Sequence, residues 1–224
     1  MKIAVRGGHC PKVTGASALI NELTEDRKVK DAVIKYLKEL GHSILDVTPP
    51  DTTNTSSADL AHGVNKANEW GADLFVSIHF NNAYSSYNGA LGSEVCVYSN
   101  FDIAQRVVDG LGSLGFKNRG QKARTGLYEL KNTKMKSMII EVCFVEATED
   151  VSLYKRLGHD TIGKTIAESI ANKKVTVNTS STSTGETYYR CIAGSFKDKT
   201  NAEKRKSELE AKGFTGVFLE AFKK

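Results

Sequence analysis

The sequence predicts an α/β protein, a three-layer sandwich with a mainly parallel central sheet, followed by a small C-terminal β-α-β unit. Three observations predict it. Strand-like and helix-like segments alternate along the first 172 residues, as in folds built from βαβ units. Two of the strand candidates, "LFVSIHF" and "SMIIEVCFV", are nearly continuous apolar runs, as expected of strands covered on both faces. Finally, "KVTVNTSSTSTGET" at 174–187 is poor in large apolar residues and rich in Ser, Thr, Asn and Gly, the composition of a flexible linker. It divides the chain into a large part at 1–173 and a small part at 188–224.

The elements follow in order. "KIAVR" reads as the first strand. "RKVKDAVIKYLKELG" reads as a helix, because Val29, Val33, Tyr36, Leu37 and Leu40 recur at helical spacing and Gly41 stops it. Strand "SILDV" comes next, then a Thr/Pro/Ser-rich loop from Thr48 to Ser57. A second helix carries Leu60, Ala61, Val64 and Ala67 on one face. After "LFVSIHF" come strand "SEVCVYS", helix "AQRVVDGLGSLG" and strand "SMIIEVCFV". The helix "DTIGKTIAESIAN" closes the large part with Ile162, Ile166 and Ile170 aligned. The small part reads strand "YYRCIAGSF", helix "NAEKRKSELEAKG", strand "GVFLEAF", a single unit too small to be stable on its core alone.

At 224 residues and 40% hydrophobic, the chain suffices for one well-buried core plus something smaller. No stretch reaches the roughly 20 apolar residues of a membrane span, and "MKIAVRGGHC" lacks the apolar region of about 7 to 15 residues of a secretory leader. The expectation is a protein made in the cytoplasm that reaches an outside target only after release by another route. The four cysteines have no Cys-x-x-Cys spacing, which predicts reduced thiols rather than a zinc cage or a disulfide framework. Of the net charge of +5, residues 188–224 carry +4, nine Lys/Arg against five Asp/Glu. A basic tail suits a polyanionic partner as well as a plain solvated surface.

In an open α/β sheet, ligands bind beyond the carboxyl ends of the strands. Three polar residues stand there. His9 follows the first strand through Gly7 and Gly8, His79 is next to the end of its strand, and Glu141 interrupts an apolar strand. By two-residue alternation Glu141 shares a face with Ile139 and Cys143. A carboxylate in such a place is costly unless it is paired, protonated or metal-bound. Two imidazoles and a carboxylate make a good zinc site. Either His9, His79 and Glu141 are the ligands, or a second carboxylate joins the histidines and Glu141 is left for proton transfer. Glu22, Glu25 and Asp26 all lie near the first helix's apolar stripe, and spacing alone singles out none of them.

The succession "GGH", "NE", "SIHFNNA", "GSEVCVYS" and "IIEVCF" resembles the zinc-dependent N-acetylmuramoyl-L-alanine amidases, the group of bacterial autolysins and phage endolysins. The resemblance covers residues 1–172. It implies Zn2+ held by His9, Glu22 and His79, with Glu141 as catalytic acid/base and Asn81 as a substrate-binding candidate. It also implies peptidoglycan rather than nucleic acid as the partner, cut at the amide joining the lactyl group of N-acetylmuramic acid to L-alanine. A zinc peptidase of the stem peptide and a non-catalytic wall-binding protein are the rivals. Here Cys10 and Pro11 follow His9, where many relatives carry a longer glycine-rich run. "YYRCIAGSFKDKTNAEKRKSELEAKGF" resembles half of a sporulation-related repeat domain, a module that binds cell-wall glycan. A lone half exposes strand edges, which predicts a homodimer paired through residues 188–224.

Overall fold

The computed structural model describes residues 1–175, 193–215 and 217–219. The chain forms two compact units, Met1–Val177 and Asn178–Lys224. In the first, six strands make one sheet: β1 (Lys2–Gly7), β2 (Ser43–Asp46), β3 (Leu74–Asn81), β4 (Ser93–Val97), β5 (Asn118–Ala123) and β6 (Lys136–Phe144), in the order β2-β1-β3-β6-β4-β5. Strands β2, β1, β3 and β6 are parallel, β4 runs antiparallel to β6, and β5 is parallel to β4. The sheet is thus mixed but mostly parallel, as the alternation of elements predicts.

Five helices accompany it: α1 (Glu22–Glu39), α2 (Ser56–Trp70), α3 (Asp102–Ser113), α4 (Tyr128–Asn132) and α5 (Thr148–Ala171). Successive side chains of a strand point to opposite faces, so each strand feeds two cores. Val76, Ile78 and Phe80 of β3 pack in the large cluster with Val29, Val33 and Leu37 of α1, Val107 and Leu111 of α3, and Ile162, Ile166 and Ile170 of α5. Phe75 instead joins Ala4, Val47 and Ala67 of α2, while Ile139 and Cys96 meet Leu130 of α4. Helices α1, α3 and α5 therefore cover one face, α2 and α4 the other.

Local chemistry explains where the elements start and stop. α1 begins at Glu22, ahead of the apolar run, because the Asn21 side chain accepts the Thr24 N–H and caps it. α2 is capped by the Thr55 side chain and stopped by Gly71 in a left-handed conformation. α5 is longer than its isoleucine stripe suggests, and Gly158, at φ +76° and ψ 154°, interrupts it. β5 and α4 have no counterpart in the sequence prediction. β5, "NRGQKA", is a polar, half-exposed edge strand, and five residues are too few for α4 to show a period.

One correction concerns β6. Between the pairs His79↔Glu141 and Asn81↔Phe144, two steps on β3 face three on β6, which is a bulge. The extra residue places Cys143 with Val142 and Val145 in the large core, away from the side of Ile139. Alternation carried from Glu141 to Cys143 therefore fails.

In the second unit the expected helix is α6 (Lys199–Ala211), capped by the Asp198 side chain, and none of its residues is buried. The two flanking strands fall largely outside the described residues. The described parts, 193–198 and 217–219, are not in strand.

Candidate metal centre

From β1 the chain crosses to β2 on one side, and from β2 it crosses back to β3 on the other. The carboxyl ends of β1 and β3 therefore flank the point where strand order reverses, where such sheets form a crevice. His9 and His79 stand at these ends, and Glu22 reaches them from the first turn of α1.

One ligand atom from each of His9, Glu22 and His79 lies within 4.8 Å of the other two. Glu22 Oε1 is 3.0 Å from His79 Nδ1 and 3.3 Å from His9 Nε2. A tetrahedral zinc with bonds of about 2.0–2.1 Å has ligand-to-ligand edges of about 3.3 Å, so these donors and spacings fit the ion. In its neutral form His9 is held in a suitable tautomer, since its Nδ1–H donates to the Val13 carbonyl at 3.1 Å and leaves the Nε2 lone pair facing Glu22. The Arg27 guanidinium fixes the His9 backbone by donating to its carbonyl at 2.6 Å. Glu22 is nearly fully buried and also accepts the N–H groups of Phe80 at 2.9 Å and Ala16 at 2.6 Å.

Two glycines make room for this cluster. A Cβ on Gly8 would overlap the His79 ring, and one on Gly15 would overlap both Glu22 Oε2 and the His9 ring. Neither Gly7 nor Gly8 has a positive φ, so the chain does not need them for its turn toward His9, and Gly8 is there for space.

The charges respond to this crowding. Burial alone would raise the Glu22 pKa, but hydrogen bonds from His79 and His9 outweigh it and hold the carboxyl well below the usual range. Burial pushes His79 down. Its bond to Glu22 and the charges of Glu141, Glu129 and Glu22 override that and bring it to about 9. Without a metal, His79 therefore carries a proton beside Glu22.

Glu141 faces His79 across the β3–β6 pair. Burial is the main reason its pKa rises to about 7, with the charges of Glu22 and Glu94 adding to it. Its Oε2 is buried and has no hydrogen-bond partner among the described residues. A carboxyl near neutrality with a free oxygen suits proton transfer. The structure also separates the three acids that spacing left equal. Glu22 enters the cluster, Glu25 accepts from the Tyr154 hydroxyl at 2.6 Å and from Lys28, and Asp26 is fully buried with neither carboxylate oxygen hydrogen-bonded among the described residues. Asn81 has both ends engaged, its Nδ2 donating to Glu94 at 3.2 Å and its Oδ1 accepting from the Asn82 N–H. Arg119 holds Glu94 at 2.7 Å.

Cys10 and Cys143 are both buried, and neither belongs to the cluster. Sequence reasoning passed over Arg6, Ser77, Asp59 and Glu129, which are buried beneath His79. The available signal was an arginine and a serine inside otherwise apolar strands.

Comparison with known proteins decides the family. The model of the N-acetylmuramoyl-L-alanine amidase family matches residues 3–172. The chain belongs to that family. The SPOR domain model matches residues 164–220, beginning within α5. A Clostridium perfringens (strain 13 / Type A) protein is 49% identical over 184 residues, covering 80% of this chain and 54% of that protein. The amidase CwlM of Bacillus licheniformis is 28% identical over 228 residues, covering 98% and 85%. Among solved structures, the catalytic domain of CD27L endolysin targeting Clostridia Difficile has a TM-score of 0.70 at 31% identity, covering 78% of this chain and 98% of that one. The chain spans about half the length of the clostridial relatives. Within the amidase fold, the cluster of His9, Glu22 and His79 stands at the open sheet edge, and no described helix is long and apolar enough to cross a membrane.

Proposed function

We propose that the first unit is a peptidoglycan hydrolase that cleaves the amide between the lactyl group of N-acetylmuramic acid and L-alanine. Membership of the amidase family supports the substrate and bond. The observation that carries the chemistry is the convergence of two imidazole nitrogens on one buried carboxylate oxygen, beside a carboxyl with an unpartnered oxygen. His9, Glu22 and His79 hold Zn2+, which when bound supplies Lewis-acid activation of water and of the scissile carbonyl. Glu141 takes the proton of the attacking water and returns it to the departing amine. Its unpartnered buried oxygen beside His79 places it to do both. Asn81 shapes the rim through one Nδ2 proton given to Glu94, and its second Nδ2 proton is the donor left for a substrate contact.

Residues 1–173 are the catalytic domain in this reading, 174–187 the linker and 188–224 a wall-binding unit, supported by the SPOR match. The experiment is zinc analysis of the purified protein, with identification of the amino terminus released from purified walls. A new amino-terminal L-alanine and one zinc per chain are expected. Release of any other amine places the cut within the stem peptide and refutes the assignment.

A further inference from the structure

Beneath His79, on the face covered by α2 and α4, lies a continuous buried chain of polar side chains that the proposed hydrolysis does not use. His79 Nε2 is 3.1 Å from Ser77 Oγ, and Ser77 Oγ is 3.4 Å from Glu129 Oε1. Glu129 is ion-paired with Arg6 at 2.9 Å, and Arg6 with Asp59 at 2.7 Å. Arg6 and Ser77 are fully buried, and Asp59 and Glu129 almost so. Arg6 also donates to the carbonyls of Gly7 at 3.0 Å and Gly8 at 2.6 Å, the backbone against which the His79 ring packs. Burying three charges is expensive, and apolar residues of similar volume would hold α2 and α4 at least as well. The arrangement calls for a reason beyond stability.

Hydrogen-bond direction supplies one. A carboxylate paired with a buried guanidinium stays ionised and can only accept. The Ser77 hydroxyl has one proton and gives it to Glu129. Toward His79 it can then only accept. We propose that Glu129, acting through Ser77, is a positioning residue that fixes the His79 proton on Nε2 and turns the Nδ1 lone pair toward Glu22. His9 is fixed in the complementary sense by Val13. Nδ1 of His79 and Nε2 of His9 thus both face Glu22 Oε1, where a bound cation takes the place of the proton that His79 Nδ1 otherwise shares with Glu22. The buried chain orients a metal ligand, as partners of ligating histidines do elsewhere, here with a hydroxyl between carboxylate and ring.

This inference rests on the metal reading of the cluster. The test uses full-length protein with Ser77→Ala and with the near-isosteric Glu129→Gln, neither of which removes a ligand or Glu141. Zinc dissociation constants are measured by chelator competition, and the His79 Nε2–H is followed by 15N-detected histidine NMR of the zinc-loaded protein. Circular dichroism checks that each variant is folded. Both variants are expected to bind zinc about 10-fold or more weakly, the scale of lost support to a metal ligand. In Ser77→Ala the Nε2–H should also exchange faster. Folded variants with wild-type zinc affinity and an unchanged Nε2–H signal would overturn the positioning role alone. A wild type that binds no zinc would overturn the metal reading and this inference together.

Discussion

Glu22 and Glu141 are both buried carboxylates beside His79, yet they are wired differently. Glu22 has every near neighbour a donor or an imidazole, so its charge is fully compensated and it can serve as a ligand. Glu141 has an oxygen with no partner among the described residues and, without a metal, a pKa raised to about 7, so it is free to exchange a proton. Glu141→Gln is therefore expected to retain zinc while wall hydrolysis falls by at least about 10²-fold. Glu22→Gln should lose zinc as well as activity, and metal analysis beside a turbidity assay reads both. An exchange of the two phenotypes would reverse the roles. Gly8→Ala and Gly15→Ala each put a methyl into the cluster, and reduced zinc occupancy is expected in both. Full occupancy in both would show that the surrounding loop yields. At this scale the sequence discloses the chemically distinctive residues: His9, His79 and Glu141 stand out as polar residues at strand ends. The choice of Glu22 over Glu25 and Asp26 came from resemblance, because three acids within five residues all fall near one stripe. The need for space at Gly8 and Gly15 depends on side chains brought in from distant segments, and no local pattern carries it.

Elements with strong periodicity were legible, and those without it were not. α1, α2 and α3 and the strands β1, β3 and β6 all announce themselves through apolar runs or stripes. β5 is polar because it is an edge, α4 is short, and the β6 bulge depends on pairing with β3. The interruption of α5 has a direct physical signature. Gly158 occupies a backbone region essentially restricted to glycine, and nothing lies within 4 Å of where its Cβ would be. Gly158→Ala therefore meets no clash, and its cost is backbone strain alone, about 1–3 kcal/mol. For a chain of this size that lowers the melting midpoint by several degrees, with zinc content and specific activity unchanged. A variant as stable as the parent would mean that the helix simply continues through residue 158. Gly163 is the contrasting case. A Cβ there would overlap Ala32 and come within 2.9 Å of the Val33 nitrogen, so it sets the approach of α5 to α1.

Across the whole molecule, the question is what the second unit adds to an amidase that already contains its candidate site. α6 buries none of its residues, and Phe196 and Phe214 are exposed, 47% and 59%. Exposed aromatic groups of this kind suit contact with a further surface, such as wall glycan or a second copy. The net charge of +4 on residues 188–224 suggests adhesion to anionic wall material, but the tail does not hold all of the basic surface. Residues 117–136 carry seven Lys/Arg against the single acid Glu129, a net +6 in the catalytic unit itself. A protein ending at Lys174 keeps that run and should still adsorb to walls at low salt. Screening shortens charge interactions to about 3 Å at 1 M salt, so the contribution of the tail is best read there. Truncation at Lys174 is expected to leave zinc content and amide cleavage of small soluble muropeptides unchanged, while sedimentation with purified walls at high salt is lost. Light scattering of the two proteins reads self-association in the same samples, and full-length protein should show the larger mass relative to its chain. If the truncated enzyme sediments with walls at high salt as the full chain does, and both are monomers, the second unit contributes neither adhesion nor assembly.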